Sequence, residues 1–292
     1  MTHLVRQAAF ALCLFLSPMA QAEDVAPLPP IQLDRAAEQG GYVLGWVPKG
    51  TVDLLLDGRA VPLAADGRFA LGFGRDHAAS AELTARLGTG EIVRQTISIA
   101  PRQWQVENLP NLPRVAQPSA EFLARRPGEV AQIEAARKSI STQTGWRQPF
   151  IWPARGRISG VFGSQRIYAG EAGVPHNGVD VAGATGTPIY APANGIVILA
   201  AASPFTLEGN LLMIDHGMGL NSAFLHLSRI DVAVGDVIRQ GQVLGAIGMT
   251  GRATGPHLHW GMRWLDQRID PALVAGPMPA APAPREKDKK PD

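Results

Sequence analysis

Between about Gly41 and Ala100 the apolar positions come in short alternating runs, each closed by a turn signal. TVDLLL and RAVPL flank Asp57-Gly58, Asp66-Gly67 precedes RFALGF, and AELTARL and EIVRQTISI flank Gly88-Thr89-Gly90. A period of two puts alternate side chains on opposite faces of a strand, and Asp-Gly supplies the positive φ angles that tight hairpins demand. The pattern predicts a small antiparallel β-sandwich within residues 23–105. No catalytic set is visible in it, and His77, alone among polar neighbours, reads as a loop residue.

Residues 106–145 read as a linker with short helices. PRQWQVENLPNLPRVAQP, across its start, is punctuated by proline, and Ser119 to Lys138 is rich in helix formers. Pro127-Gly128 falls inside that stretch and predicts two short helices rather than one, with Val130 and Ile133 facing the core from the second. Residues 146–274 return to strands: GRISGVF, GVDVAG, GIVILAA, NLLMIDH, NSAFLHLS, a DVIRQ and QVLGAIG hairpin, and HLHWGMRW. Residues 275–292 form a Pro/Ala and charged tail with too little apolar surface to fold, expected to be disordered.

Composition agrees with a mostly β protein. Among 292 residues, 32 are glycine and 24 proline, while 18% are charged, which suits many short strands joined by turns and not a helical bundle. A formal net charge of +2 is too small to imply nucleic acid as a partner. The first 22 residues read as a signal peptide: Arg6 without an acid, an apolar run from Ala8 to Met19, and Ala20-Gln21-Ala22 as a cleavage site. That run falls well short of the ~20 residues a spanning helix needs, so a periplasmic or cell-envelope location is expected without a stable membrane span. The sole cysteine, Cys13, lies inside this segment, so any metal in the exported chain must be held by His and Asp.

Four histidines and an aspartate carry the candidate chemistry: His176 and Asp180 in PHNGVD, His226 in FLHLS, His257 and His259 in GPHLHW. His257 and His259 are two apart in a β-like segment and share a face, with Leu258 and Trp260 turned away and Gly261 leaving space beside them. Pro175 and Gly178 argue against a helix between His176 and Asp180, so a loop delivers the first and a strand the second. Strict alternation places His226 on the face of Ser222 and Phe224. His216, in an Asp-His-Gly turn, is left out of the site. Three such side chains can hold zinc with one position open for water, and two imidazoles would remain for proton work. A swinging-arm carrier, suggested by GDVIRQGQ, is excluded because no lysine occurs between Lys138 and Lys287.

With these residues in hand, residues 146–274 resemble the catalytic domain of LytM/lysostaphin-type zinc endopeptidases, which cut peptide cross-links in bacterial peptidoglycan. The resemblance rests on PHNGVDVAGATGTPIYAPANGIV, DHGMGLNSAFLHLS and GDVIRQGQVLGAIGMTGRATGPHLHWGM. It implies an antiparallel β-sheet of the duplicated hybrid motif fold, one Zn2+ per chain on His176, Asp180 and His259, and His226 with His257 as the pair that activates water and steadies the oxyanion. The implied partners are peptidoglycan stem peptides. A non-catalytic wall-binding regulator of another hydrolase is the rival reading, disfavoured because the full residue set is present.

Overall fold

The computed structural model describes residues 30–111 and 118–279. The signal peptide, the proline-rich leader before Pro30, residues 112–117 of the linker and the tail from residue 280 lie outside the described residues. Among the described residues no helix is long and apolar enough to cross a membrane.

Two sheets make the amino-terminal part. Strands Thr51–Leu56, Ser80–Leu87 and Ile92–Ala100 pair antiparallel, with Arg59–Ala60 on one edge and Ala37–Glu38 parallel to the other. Tyr42–Trp46 lies between Gln32–Leu33 and Arg68–Gly72 in the second sheet. Asp57 and Gly58 have φ of 48° and 78°, the two positive values of the expected hairpin turn. Leu54, Leu83 and Ile99 from one sheet and Val43, Phe69 and Leu71 from the other are buried in one continuous apolar cluster, which is the sandwich that the alternation predicts.

That cluster runs without a break into the carboxy-terminal part. There an eight-stranded, all-antiparallel sheet runs in the order Ile158–Gly160, Val179–Ala182, His257–Trp264, Leu220–Leu227, Asn210–Gly217, Gly195–Ala200 and Val237–Ile238. Gln267–Ile269 pairs with the far end of His257–Trp264. Leu258, Trp260, Met262 and Trp264 enter the core from one face of their strand. The alternate positions, His257, His259, Gly261 and Arg263, form the other face. Glycine lets the two parts meet closely: a Cβ on Gly72 would stand 2.7 Å from Trp264 Cβ and 2.9 Å from Ile269 Cγ2. The Asp270 amide donates to Gly40 O at 2.7 Å, and Arg102 reaches the buried Asp270 carboxylate at 3.0 Å.

Four local expectations are corrected. Ala120–Arg137 is one helix with Pro127 inside it, capped by Ser119, whose hydroxyl accepts from the Phe122 amide. Proline removes one backbone donor, but tertiary contacts on both sides of it hold the helix together: Arg126 chelates Glu208, Glu129 takes the Thr206 amide at 2.8 Å, and Ile133 is buried. Glu129 therefore faces inward and Val130 is exposed. The linker also contributes a strand, Val106–Leu109, which pairs parallel with Gln165–Tyr168. DVIRQ and QVLGAIG do not pair with one another; Val237–Ile238 joins the large sheet and Val243–Ala246 lies between Pro188–Tyr190 and Arg229–Ile230. The start of the tail is packed, since Trp152 Nε1 donates to Gly276 O at 2.9 Å and Met278 lies against the core.

His216 ends a strand rather than occupying a turn, and it is fully buried, with Nδ1 2.8 Å from Asn194 O and Nε2 2.9 Å from Ser222 Oγ. Burial pushes its pKa down from 6.5 to about 4, against a small opposing pull from the Asn194 carbonyl. A depressed folded-state pKa means that the unfolded chain takes the proton first, so this contribution is present above pH 6.5 and is lost as pH falls towards 4. Between pH 7 and pH 5 the wild type should lose about 2 kcal/mol more than His216→Gln, read from urea midpoints. Equal losses in the two proteins would refute the assignment.

Candidate metal centre

The pairing of Val179–Ala182 with His257–Trp264 sets Asp180 directly opposite His259, so both side chains rise from the same face. His176 comes from the loop before this strand, held where its amide donates to Ser164 O and its carbonyl accepts from Gly163, both at 2.8 Å. Asp180 Oδ1 lies 2.8 Å from His259 Nδ1 and 3.2 Å from His176 Nε2, and the two ring nitrogens are 3.1 Å apart. Ligands at ~2.0–2.1 Å from a tetrahedral ion are about 3.3 Å from each other, so this triangle has the dimensions and the N,N,O chemistry for one divalent cation. The chain opens room around it by omitting side chains. A Cβ on Gly178 would stand 2.7 Å from His259 Nε2, and one on Gly160 would collide with the Asp180 carboxylate.

The outer nitrogen of His176, Nδ1, is 3.1 Å from Val161 O, which leaves Nε2 for the cation. His257 is fixed in the same way, with Nδ1 2.8 Å from Gly255 O and Nε2 3.8 Å from Asp180 Oδ1. His226 completes the cluster, its ring centroid 4.9 Å from that of His257. Strict alternation put it on the face of Ser222 and Phe224, and the structure corrects this. His226 has φ of 63°, in the left-handed region, and the resulting kink brings its ring over to the face of His257 and His259.

A left-handed histidine costs about 1–3 kcal/mol and persists only where its surroundings hold it. Here the His226 amide donates to Glu208 O at 2.8 Å and Nδ1 lies 2.8 Å from Thr250 O. The loop bearing Glu208 is tied in turn to the Ala120–Arg137 helix: Arg126 Nη2 donates to Glu208 Oε1 at 2.8 Å, with Nη1 on the other oxygen, and Glu129 accepts from the Thr206 hydroxyl and amide. Sequence reasoning missed this layer because carbonyls of Val161, Glu208, Thr250 and Gly255 leave no signature in residue type. The charges of Arg126 and Glu208 lie 82 residues apart.

Electrostatics suit a cation. Burial alone would raise Asp180, but hydrogen bonds from His176 and His259 outweigh it and hold the carboxyl far below the usual range. Burial also lowers His259, with Asp180 opposing it, which favours the neutral imidazole that a metal requires. At His176 burial is outweighed by the hydrogen bond and charge of Asp180, and the pKa rises. The pull that would keep a proton on that nitrogen acts equally on a metal ion. For His226 burial dominates, and its pKa falls to about 4.

Residues 174–271 match Peptidase family M23. Peptidoglycan DD-endopeptidase ShyA of Vibrio cholerae is 42% identical over 105 residues, 36% of this chain and 24% of that protein. The chain therefore spans about a quarter of the length of that relative. A crystal structure from Pseudomonas aeruginosa assigned to peptidase M23 is 29% identical, covers 83% of this chain and 96% of its own, and superposes with a TM-score of 0.64. The catalytic domain of lysostaphin from Staphylococcus simulans is 30% identical, over 40% of this chain and 89% of that domain, with a TM-score of 0.35. On the matched motifs, residues 174–271 belong to peptidase family M23.

Proposed function

We propose that this chain is a zinc-dependent endopeptidase that hydrolyses D,D peptide cross-links of bacterial peptidoglycan in the cell envelope. The observation that carries this reading is the convergence of Asp180 Oδ1, His176 Nε2 and His259 Nδ1 beside two further imidazoles, gathered over one face of the large sheet. The bond specificity rests on relatives described as peptidoglycan DD-endopeptidases.

His176, Asp180 and His259 would hold one zinc ion. When bound, the ion supplies Lewis-acid polarisation of the scissile carbonyl and acidifies a water molecule. The remaining work falls to the chain's own groups. His226 and His257 each commit Nδ1 to a backbone carbonyl, so Nε2 of both is free for the reacting groups. One neutral imidazole takes on Nε2 the proton released as water adds to the amide, and the other, entering the reaction protonated on Nε2 as well as Nδ1, donates to the developing oxyanion. Their ring separation of 4.9 Å lets both reach a single tetrahedral centre. Gly160, Gly178 and Gly261 keep side chains away from that face, which gives an extended peptide access.

Purified exported chain should digest sacculi, and exhaustive chelation should abolish digestion with recovery on adding zinc; digestion that survives chelation would rule the proposal out. His257→Ala should lower the rate by ~10²–10⁴-fold while the protein still binds one equivalent of metal. Loss of metal from that variant would make His257 a ligand instead. Arg126→Ala should lower the rate about ten-fold with metal content unchanged, because Glu208 then no longer fixes the carbonyl that holds the His226 amide. An Arg126→Ala enzyme of full activity would show that the helix is not needed for positioning.

A further inference from the structure

The face that carries the histidines continues along the same strand and ends in a group of cations. His257, His259, Gly261 and Arg263 alternate with the buried Leu258, Trp260, Met262 and Trp264, and the pairing to both neighbouring strands keeps register along this stretch. Arg263 lies four residues beyond His259, about 13 Å along a strand. Arg268 is its direct cross-strand partner and shares its face. Arg137, from the last turn of the Ala120–Arg137 helix, joins them from above.

These three guanidinium groups have few acceptors. Glu134 is the one carboxylate within ion-pair distance among the described residues, 2.9 Å from Arg137 Nη1 and 3.6 Å from Arg263 Nη1. Its side chain is 51% exposed, so water competes for it. Arg268 makes no ion pair or side-chain hydrogen bond among the described residues, while Nε of both Arg137 and Arg263 is buried without a partner. Asp215, two strands further along the row, has its oxygens taken by the amides of Ser141 and Gly217. Burial and then the charge of Arg263 lower the pKa of both Arg137 and Arg268, as expected where cations outnumber anions. Between this group and the histidines Gly261 has no side chain, and its cross-strand neighbour is the small Ala223, which packs on its other side towards Ile133 of the helix.

We propose that Arg137, Arg263 and Arg268 form a carboxylate-binding subsite that holds a free carboxylate of the peptide whose backbone is cleaved at the histidine cluster. This rests on the endopeptidase reading and deepens it by naming the feature recognised at a distance from the scissile bond. An extended peptide advances 3.2–3.4 Å per residue, so a carboxylate about four residues away spans the distance across Gly261. Guanidinium forks match carboxylates in a bidentate manner, and a ligand carboxylate would replace Glu134 or join it.

Two measurements on the zinc-loaded full chain test the proposal. Acetyl-tetraalanine with a free C-terminal carboxylate, titrated into arginine-labelled protein, should shift the Nε–H signals of Arg137 and Arg263 saturably, and the C-terminal amide should bind at least ten-fold more weakly. Cross-linked muropeptide dimers with free stem carboxylates should likewise be cut with at least ten-fold higher kcat/KM than their amidated counterparts. Both preferences should collapse towards one in Arg263→Gln and in Arg268→Gln, the second placed at an exposed site so that folding is not in question. Equal handling of acid and amide by the wild type, or a preference retained in both variants, would overturn the subsite. Selective binding by a chain that cuts no dimer would uphold the subsite and defeat the endopeptidase reading, so the two failures are distinguishable.

Discussion

The site depends on one register. Val179–Ala182 and His257–Trp264 pair so that Asp180 stands across from His259, and every other group is arranged around that pair. Side chains alternate with a period of two, so a slip of one residue would turn His257 and His259 into the core and push Leu258 and Trp260 to the solvent. The core prevents this slip, since Leu258 and Trp260 are fully buried and both belong to the main apolar cluster. The hydrophobic face thus sets the position of the polar one. A half-buried aspartate between two imidazoles is costly unless a cation or proton neutralises the cluster. A metal-ready site and a well-packed sheet are two sides of the same strand.

Around this register lies a layer of backbone carbonyls. Val161, Gly255 and Thr250 each occupy one ring nitrogen of His176, His257 and His226 and so decide which nitrogen faces inward. These carbonyls sit on loops, and the loops are fastened by groups remote in sequence. Arg75 Nε donates to Gly163 O at 2.9 Å while its guanidinium lies over the Trp104 ring, which fixes the turn after Val161 from the amino-terminal side. Arg126 and Glu129 do the same from the helix for the segment bearing Glu208. The amino-terminal sheets and the linker are thereby part of the scaffold of the site.

Much of this was legible in the chain. Asp57-Gly58, the alternating runs around it, and the spacing of His257 and His259 are local signals, and the structure follows them because the core rewards the same alternation. The five polar residues were legible because their types are few and their motifs close to those of a known family. What was not legible is non-local. His226 lies on the opposite face from the one alternation assigns, because a left-handed kink is held by partners near residues 208 and 250. Helix Ala120–Arg137 passes through Pro127 because contacts to Glu208 and Thr206 hold it, and nothing nearby in the sequence announces those contacts. Residue types signal periodicity well; which distant carbonyl meets which ring they do not.

The short strand Val106–Leu109 has a wider implication. By pairing parallel with Gln165–Tyr168, a segment that precedes the whole carboxy-terminal sheet is woven into the turn beside His176. Such threading means that the carboxy-terminal sheet is not a modular cassette with a clean seam. A gene fusion or domain swap that joins at the first residue of the large sheet would leave an unpaired β-edge next to the histidine cluster, so the approach segment has to travel with the sheet.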